Sequence, residues 1–210
     1  MTTSNCRSNG SVSTSPQITR TCSGGYLEAA IFAICLLTGD RLYGAWRCGT
    51  LLVIEQRQYW RLLTSVFLHA GISHLGSNLI VQILMGNVVE RNLGHVKYLL
   101  LFLAAGIGGN IVSVLYDSAQ GVNTYSVGAS GAIFGVMGVL VILIVKGRRT
   151  LRRGSSMLLR AGFAVFYAVY SGFQTPYADN AAHLGGLFVG VLLGLLITIG
   201  MDSADLRDLR

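Results

Sequence analysis

The chain has 210 residues, of which 52% are hydrophobic and only 12% are charged, and its formal net charge is +7. Soluble domains carry about a quarter of charged residues, so this composition excludes an ordinary soluble protein and is typical of a single-domain integral membrane protein. The positive charges cluster beside apolar segments, as orientation signals do in membrane proteins. This placement argues against a nucleic-acid partner.

Segment 1–25 is rich in serine and threonine, contains no acidic residue and lacks the apolar core of a secretory signal. Its composition faintly resembles a transit peptide, but we interpret it as a disordered cytosolic N-terminal tail. The membrane domain is then predicted at 26–200, followed by a short C-terminal tail at 201–210. The cysteines show no metal-ligand spacing and predict no disulfide framework. They are Cys6, Cys22, Cys35 and Cys48.

Apolar segments recur along the chain at lengths close to the roughly 20 residues that a membrane-spanning helix needs. The predicted fold class is therefore an all-α polytopic membrane protein, a bundle of six transmembrane helices. Segment 42–70 is too polar to be a span, and we interpret it as an ordered loop at the membrane interface. The six predicted spans are 26–41, 72–90, 97–116, 130–146, 157–174 and 181–200.

The distribution of lysine and arginine predicts the orientation of these spans. The connections 146–160 and 91–97 carry basic residues, whereas 117–129 and 175–180 carry none. Both termini are therefore predicted to be cytosolic, although loop 42–70 is an exception because it places arginines on the outer side. The sequence leaves open which membrane holds the protein.

Ser130 and His183 are predicted at the same depth, because both open spans that enter from the outer side. A histidine within a span is costly in hydrocarbon and is therefore a candidate functional residue. Each residue also has a simpler interpretation, since serine is a preferred helix N-cap and a histidine can be a satisfied polar group. Small residues three or four positions apart predict close contact between the two helices. These glycines are Gly131, Gly135 and Gly138 in one span and Gly186, Gly190 and Gly194 in the other.

A polar stripe runs along the second span, where His74, Asn78, Gln82 and Gly86 recur every four residues. Such a stripe must face protein or a water-filled cavity in a membrane. Hydrogen bonding between helices would explain it without any catalytic role.

Together these residues predict serine-based hydrolysis within the membrane. A serine hydroxyl is a weak nucleophile that needs a base, and His183 can accept its proton and pass it to the leaving amine. The Ser130 backbone N–H, His74 and Asn78 are candidate oxyanion donors. Spans 2–6 contain no acid at mid-depth and Asp179 lies in a loop, so a dyad is favoured over a triad.

On these residues the chain resembles the rhomboid intramembrane serine proteases over about two-thirds of its length, from Tyr59 to about Gly194. A single Gly-x-Ser-Gly is a weak signal, but an ordered set of motifs on the predicted spans is a strong one. The matching residues are Trp60-Arg61, Thr64 and Phe67 before His69; His74 with Asn78; Glu90 with Gly94; Gly128-Ala129-Ser130-Gly131; and Ala182-His183 with Gly186 and Gly190.

The resemblance implies a role for each site residue. Ser130 would be the nucleophile and His183 the general base, with His74, Asn78 and the Ser130 amide around the oxyanion. It also implies that span 5 and loop 174–180 admit a substrate helix sideways, that the substrates are transmembrane segments, and that no cofactor or metal takes part. The supporting residues it implies are His69, Gly128, Gly131, Trp60, Arg61 and Phe134, the last at a position where many family members have tyrosine.

Other classes of membrane protein remain as alternatives. An inactive rhomboid-like protein that binds membrane clients for trafficking or degradation typically lacks the serine or the histidine, and both are present here. A transporter or channel commonly needs ionisable groups at mid-membrane, and spans 2–6 hold no Asp, Glu, Lys or Arg at that depth. There is no His-Glu-x-x-His motif for zinc and no pair of aspartates within the spans. The oligomeric state stays open.

Overall fold

The computed structural model describes residues 23–147, 162–163, 166 and 178–199. Helices make up most of this part of the chain. In chain order they are α1 (Ser23–Thr38), α2 (Asp40–Trp46), α3 (Thr50–Ile54), α4 (Arg61–Thr64), α5 (Ile72–Val81), α6 (Asn87–Leu93), α7 (His95–Ala119), α8 (Ser130–Gly147) and α9 (Asn180–Ile199). A 3₁₀ turn, Ser65–Phe67, follows α4, and a π-helical stretch, Gln82–Gly86, joins α5 to α6. Two short strands are β1 (Cys48–Gly49) and β2 (Tyr125–Ser126).

Three of the described helical segments are long and apolar enough to cross a membrane, judged by length and composition. They are Ile72–Leu93, His95–Ala119 and Asn180–Ile199, which match the predicted spans 2, 3 and 6. Two shorter apolar helices, Gly25–Thr38 and Ser130–Lys146, occupy the positions of predicted spans 1 and 4. The helical membrane architecture is thus present, while the count of six spans stays a prediction.

Several sequence predictions fall outside the described residues. These are nearly all of the fifth span at 157–174, loop 174–177, most of the basic connection 146–160, most of the N-terminal tail and the C-terminal tail.

Helices α8 and α9 contact each other through their backbones along the two predicted glycine faces. A methyl group built on Gly186 would overlap the carbonyl oxygen of Gly131, and one on Gly190 would overlap that of Gly135. Only glycine allows this approach, because any side chain on α9 at these positions would push the helices apart. The close contact brings the N-terminal ends of α8 and α9 together.

Helix α7 packs against the same N-terminal end of α9. A methyl group on Gly109 would lie 2.6 Å from the Ala182 carbonyl oxygen, and one on Gly185 would lie 2.6 Å from Val112 Cβ. Nearer its N-terminus α7 contributes Tyr98 and Phe102, each 1% exposed, to the apolar core. The three helices therefore form a tightly packed unit whose spacing is set by small residues.

Loop 42–70 is ordered around the buried side chain of Arg61. Its Nη1 donates to the carbonyl oxygens of Gly44 and Arg47 at 3.1 and 2.9 Å, and its Nε donates to Gln58 Oε1 at 2.6 Å. The preceding Trp60 instead points outward and is 56% exposed. An inward arginine and an outward tryptophan suit a loop at the membrane interface, where indole rings are enriched.

The two strands tie loop 42–70 to the segment that leads into α8. They pair antiparallel with Cys48 opposite Ser126. The Asp117 carboxylate, at the end of α7, accepts hydrogen bonds from the hydroxyls of Thr50 and Thr124. These contacts join three parts of the chain near the N-terminus of α8: loop 42–70, the end of α7 and the segment that carries β2.

Candidate active site

Ser130 and His183 meet at the N-terminal ends of α8 and α9. Ser130 Oγ lies 2.8 Å from His183 Nε2, and both side chains are partly buried. A hydroxyl that donates to this nitrogen requires an unprotonated Nε2, so the ring proton of a neutral His183 is then on Nδ1. This is the arrangement that nucleophile activation by a general base requires.

The Phe134 ring, one turn along α8 from Ser130, stacks on the His183 ring. Their centroids are 4.4 Å apart and the rings are 3° from parallel. The contact restricts rotation of the imidazole without any hydrogen bond, since phenylalanine has no hydroxyl.

We expect Phe134→Tyr to retain activity within about threefold and Phe134→Ala to lower kcat by about 10- to 100-fold, since misplacing a reacting group by 1 Å can cost that much. Steady-state turnover of both variants in detergent measures this. Ile133→Ala, a buried neighbour on α8, is the control for general packing loss. Equal losses in Phe134→Ala and Ile133→Ala would contradict a specific role for the stacked ring.

Asp179 caps α9, and its carboxylate does not hydrogen-bond the His183 ring. Its Oδ1 accepts the Ala182 backbone N–H at 2.8 Å, and its Oδ2 accepts the Ser113 hydroxyl at 2.6 Å. Among the described residues no side chain hydrogen-bonds His183 Nδ1. The geometry therefore contains a serine–histidine pair, with Asp179 setting where the helix that carries the histidine begins.

Gly128 approaches the polar stripe of α5 in a backbone conformation that favours glycine, with φ of 127°. A methyl group there would lie 2.9 Å from His74 Nε2 and 3.8 Å from Asn78 Nδ2. The Gly128 N–H donates to the Ser65 carbonyl oxygen at 3.0 Å, which fixes the loop in place. The missing side chain thus leaves a space bordered by two polar side chains, next to the N-terminus of α8.

Asn78 is held by His69, which lies at the end of loop 42–70. Asn78 Nδ2 is 2.9 Å from His69 Nε2, and both residues are buried. Burial, with a smaller contribution from the neighbouring His74, lowers the pKa of His69 to about 4, although the Phe67 backbone acts in the opposite direction. A neutral imidazole nitrogen can accept a hydrogen bond from the Asn78 amide N–H, because an amide nitrogen acts only as a donor.

We expect the contribution of His69 to the stability of the fold to fall as the pH drops from about 6.5 to about 4. In that window the unfolded chain protonates His69 whereas the folded chain does not, so unfolding takes up a proton and acid favours it. The loss is on the order of 3 kcal/mol, since the pKa falls from 6.5 to about 4. Equilibrium unfolding in mixed micelles at several pH values measures it, and His69→Gln should show a shallower dependence. An unchanged dependence in His69→Gln would refute this assignment.

Glu28 is not among the site residues that the sequence predicts. It lies on α1 with its side chain fully buried, and its Oε2 is 3.8 Å from His69 Nε2. The available signal was one carboxylate within an otherwise apolar segment, which is unusual in a membrane helix.

Fold and site together define a helical membrane protein with a serine and a histidine paired where two packed helices begin. The family model described as "Rhomboid domain" matches residues 56–199. The chain therefore belongs to the rhomboid family, and it is an integral membrane protein.

Several relatives with curated names are similar over the same region. RHOMBOID-like protein 1 of Arabidopsis thaliana is 35% identical over 148 residues, 70% of this chain and 37% of that protein. Rhomboid protease GluP of Bacillus subtilis is 37% identical over 149 residues, 68% of this chain and 28% of that protein. Rhomboid-type serine protease 2 of Emericella nidulans is 34% identical over 142 residues, 67% of this chain and 27% of that protein. The similarity thus spans well under half the length of each relative.

Proposed function

We propose that this chain is an intramembrane serine endopeptidase that cleaves transmembrane segments of membrane proteins near their outer face. The observation that carries the proposal is the 2.8 Å contact between Ser130 Oγ and His183 Nε2. Two of the similar relatives are named proteases, one of them a serine protease. Membership of the family favours the proposal, but inactive family members exist, so catalysis has to be measured on this chain.

In the proposed reaction Ser130 Oγ attacks the scissile carbonyl carbon while its proton moves to His183 Nε2. The tetrahedral intermediate collapses when the imidazolium gives that proton to the leaving amine, which leaves an acyl-enzyme. Water then attacks the ester as His183 Nε2 accepts a proton from it, and the same proton returns to Ser130 Oγ as the acid product leaves. The ring thus acts as base and acid in turn.

The negative charge on the carbonyl oxygen needs donors that are already in place. The Ser130 backbone N–H is one, because the first N–H groups of a helix have no partner within it and the helix dipole favours an anion there. Asn78 Nδ2 and His74 Nε2 border the space beside Gly128 and complete the set. Gly131 allows the tight approach of α8 to Ala182, so that Ser130 stays within reach of His183.

The substrates are proposed to be single transmembrane segments that enter sideways from the bilayer. Basic residues of the connections predict cytosolic termini and an outer-facing dyad, which would give water access from the outer side. Loop 42–70 would lie partly in the outer leaflet, anchored by Trp60. No nucleic acid, metal or cofactor is needed in this scheme.

The direct test is cleavage of a reporter in proteoliposomes, using a panel of single transmembrane segments that differ in helix stability near the outer face. Cleavage within the outer half of a segment by the wild-type chain, and none by Ser130→Ala, is the expected result. Binding of the segments by both proteins without any cleavage would favour the alternative of a client-binding protein.

We expect Asn78→Ala to lower kcat by about 10²- to 10³-fold with little change in KM, because loss of an oxyanion donor acts on the transition state. Ser77→Ala, on the exposed side of the same helical turn, should behave like the wild type. Steady-state kinetics over a range of reporter concentrations separates the two constants. A rise in KM with unchanged kcat would instead give Asn78 a role in substrate binding.

A further inference from the structure

A buried carboxyl lies directly behind the candidate oxyanion donors. Glu28 is on α1, fully buried, and its Oε2 lies 3.8 Å from His69 Nε2. The Gln82 side chain, 1% exposed and on the π-helical stretch after α5, interacts with the same carboxyl. Polar groups are costly to bury in a helix that faces hydrocarbon, so a glutamate retained at this position calls for a role.

A single ring nitrogen, His69 Nε2, links Glu28 to the candidate oxyanion donor Asn78. His69 Nε2 faces Glu28 and also accepts from Asn78 Nδ2 at 2.9 Å. An amide nitrogen has two N–H groups, so one can bind His69 while the other stays free for an oxyanion. Asn78 Nδ2 is 3.8 Å from the position that a methyl group on Gly128 would take. The orientation of the amide, and hence of its second N–H, therefore depends on where the His69 ring lies.

We propose that Glu28 is a positioning residue for the oxyanion pocket, which holds the His69 ring in place and through it orients the Asn78 amide. This inference rests on the proposed function. Without the carboxyl the ring loses its polar neighbour on the Nε2 edge, and a branched apolar group in its place would no longer hold the ring in one orientation about χ2. A rotated ring no longer accepts from Asn78 in the same direction, and the amide is free to present its oxygen to the pocket. Two acceptors would then face each other where a donor is needed.

The proposal predicts a kinetic signature in Glu28→Leu. Leucine is similar in size to glutamate but removes the polar contact. We expect kcat for the reporter to fall by about 10- to 100-fold with little change in KM, in line with misplacement of a group that acts on the transition state. Glu28→Gln should stay within about threefold of the wild type, because its planar amide has nearly the size and shape of the carboxyl and can still interact with Gln82. Ile31→Ala, one turn further along α1 and 7% exposed, controls for loss of packing.

A double-mutant cycle separates positioning from a structural role. In an Asn78→Ala background Glu28→Leu should have no further effect on kcat, since the residue on which it acts is gone, whereas Ile31→Ala should lower kcat by the same factor in both backgrounds. An effect of Glu28→Leu that persists in full with Asn78→Ala would overturn the proposal. So would a loss in Glu28→Gln as large as that in Glu28→Leu.

Nuclear magnetic resonance tests the same contact without requiring activity. In ¹⁵N-labelled protein in nanodiscs, Glu28→Leu should shift the His69 ring nitrogens and the Asn78 side-chain amide, and Ile31→Ala should leave both unchanged. Unshifted signals in Glu28→Leu would overturn the positioning role even if the wild-type chain cleaves the reporter. If the wild type cleaves nothing, the proposed function fails, while the spectra still decide whether Glu28 orients the amide.

Discussion

Cleavage of a transmembrane reporter should fall by about 10⁴-fold or more, to the uncatalysed background, in both Ser130→Ala and His183→Asn. The two residues act as one unit across the 2.8 Å contact, so losing either removes the activated nucleophile. The double variant should be no worse than either single one, because the effects of residues that act together do not add. Initial rates in proteoliposomes measure all three.

Ser126→Ala provides the matched control, since Ser126 lies on β2, in the segment that leads into α8, and pairs with Cys48. Its rate should match the wild type. Thermal unfolding in detergent has to show that the two site variants remain folded. Residual cleavage in His183→Asn at a tenth of the wild-type rate would mean that another group serves as the base.

The second large effect is expected at the contact between α8 and α9. Gly190→Leu should abolish activity and strongly destabilise the protein, because even the first side-chain carbon would overlap the Gly135 carbonyl oxygen. Gly190→Ala should lower stability by about 1–3 kcal/mol, as overpacking of a close contact does. It should also lower kcat, since pushing the helices apart lengthens the Ser130–His183 contact.

Gly76→Ala is the control for glycine replacement within a helix, because a methyl group at Gly76 meets nothing within 4 Å. Alanine is the better helix former, so this variant should be as stable as the wild type or slightly more stable. Mixed-micelle unfolding and reporter cleavage measure each protein. A fully active and stable Gly190→Leu would contradict the packing of the two helices.

The sequence predicted best those features of the site that depend on small residues within helices and on the orientation of the spans. Glycines three or four residues apart in two spans predicted facing surfaces, and the structure brings these surfaces into backbone contact. The orientation rule put Ser130 and His183 at the same depth, so their proximity required only that the two faces pack. Both inferences depend on helix periodicity, which can be read from local sequence.

Contacts between segments far apart in the chain were not predictable in the same way. The role of Asp179 as a helix cap bonded to Ser113, and the contact of Glu28 with His69, depend on how separate elements pack. No local sequence pattern indicates which helix packs beside α1. The pairing of β1 with β2 is also invisible in the sequence, because two-residue strands have no periodicity to detect.

The measurement that tests the central claim most directly is labelling of the purified protein with a fluorophosphonate probe, which reports an activated serine without the need for a substrate. The wild type should be labelled, and Ser130→Ala and His183→Ala should not. Equal labelling of all three proteins would mean that Ser130 is not the reactive group. No labelling of the folded wild type would contradict an assembled dyad and favour a rhomboid-like protein that binds its clients without cleaving them.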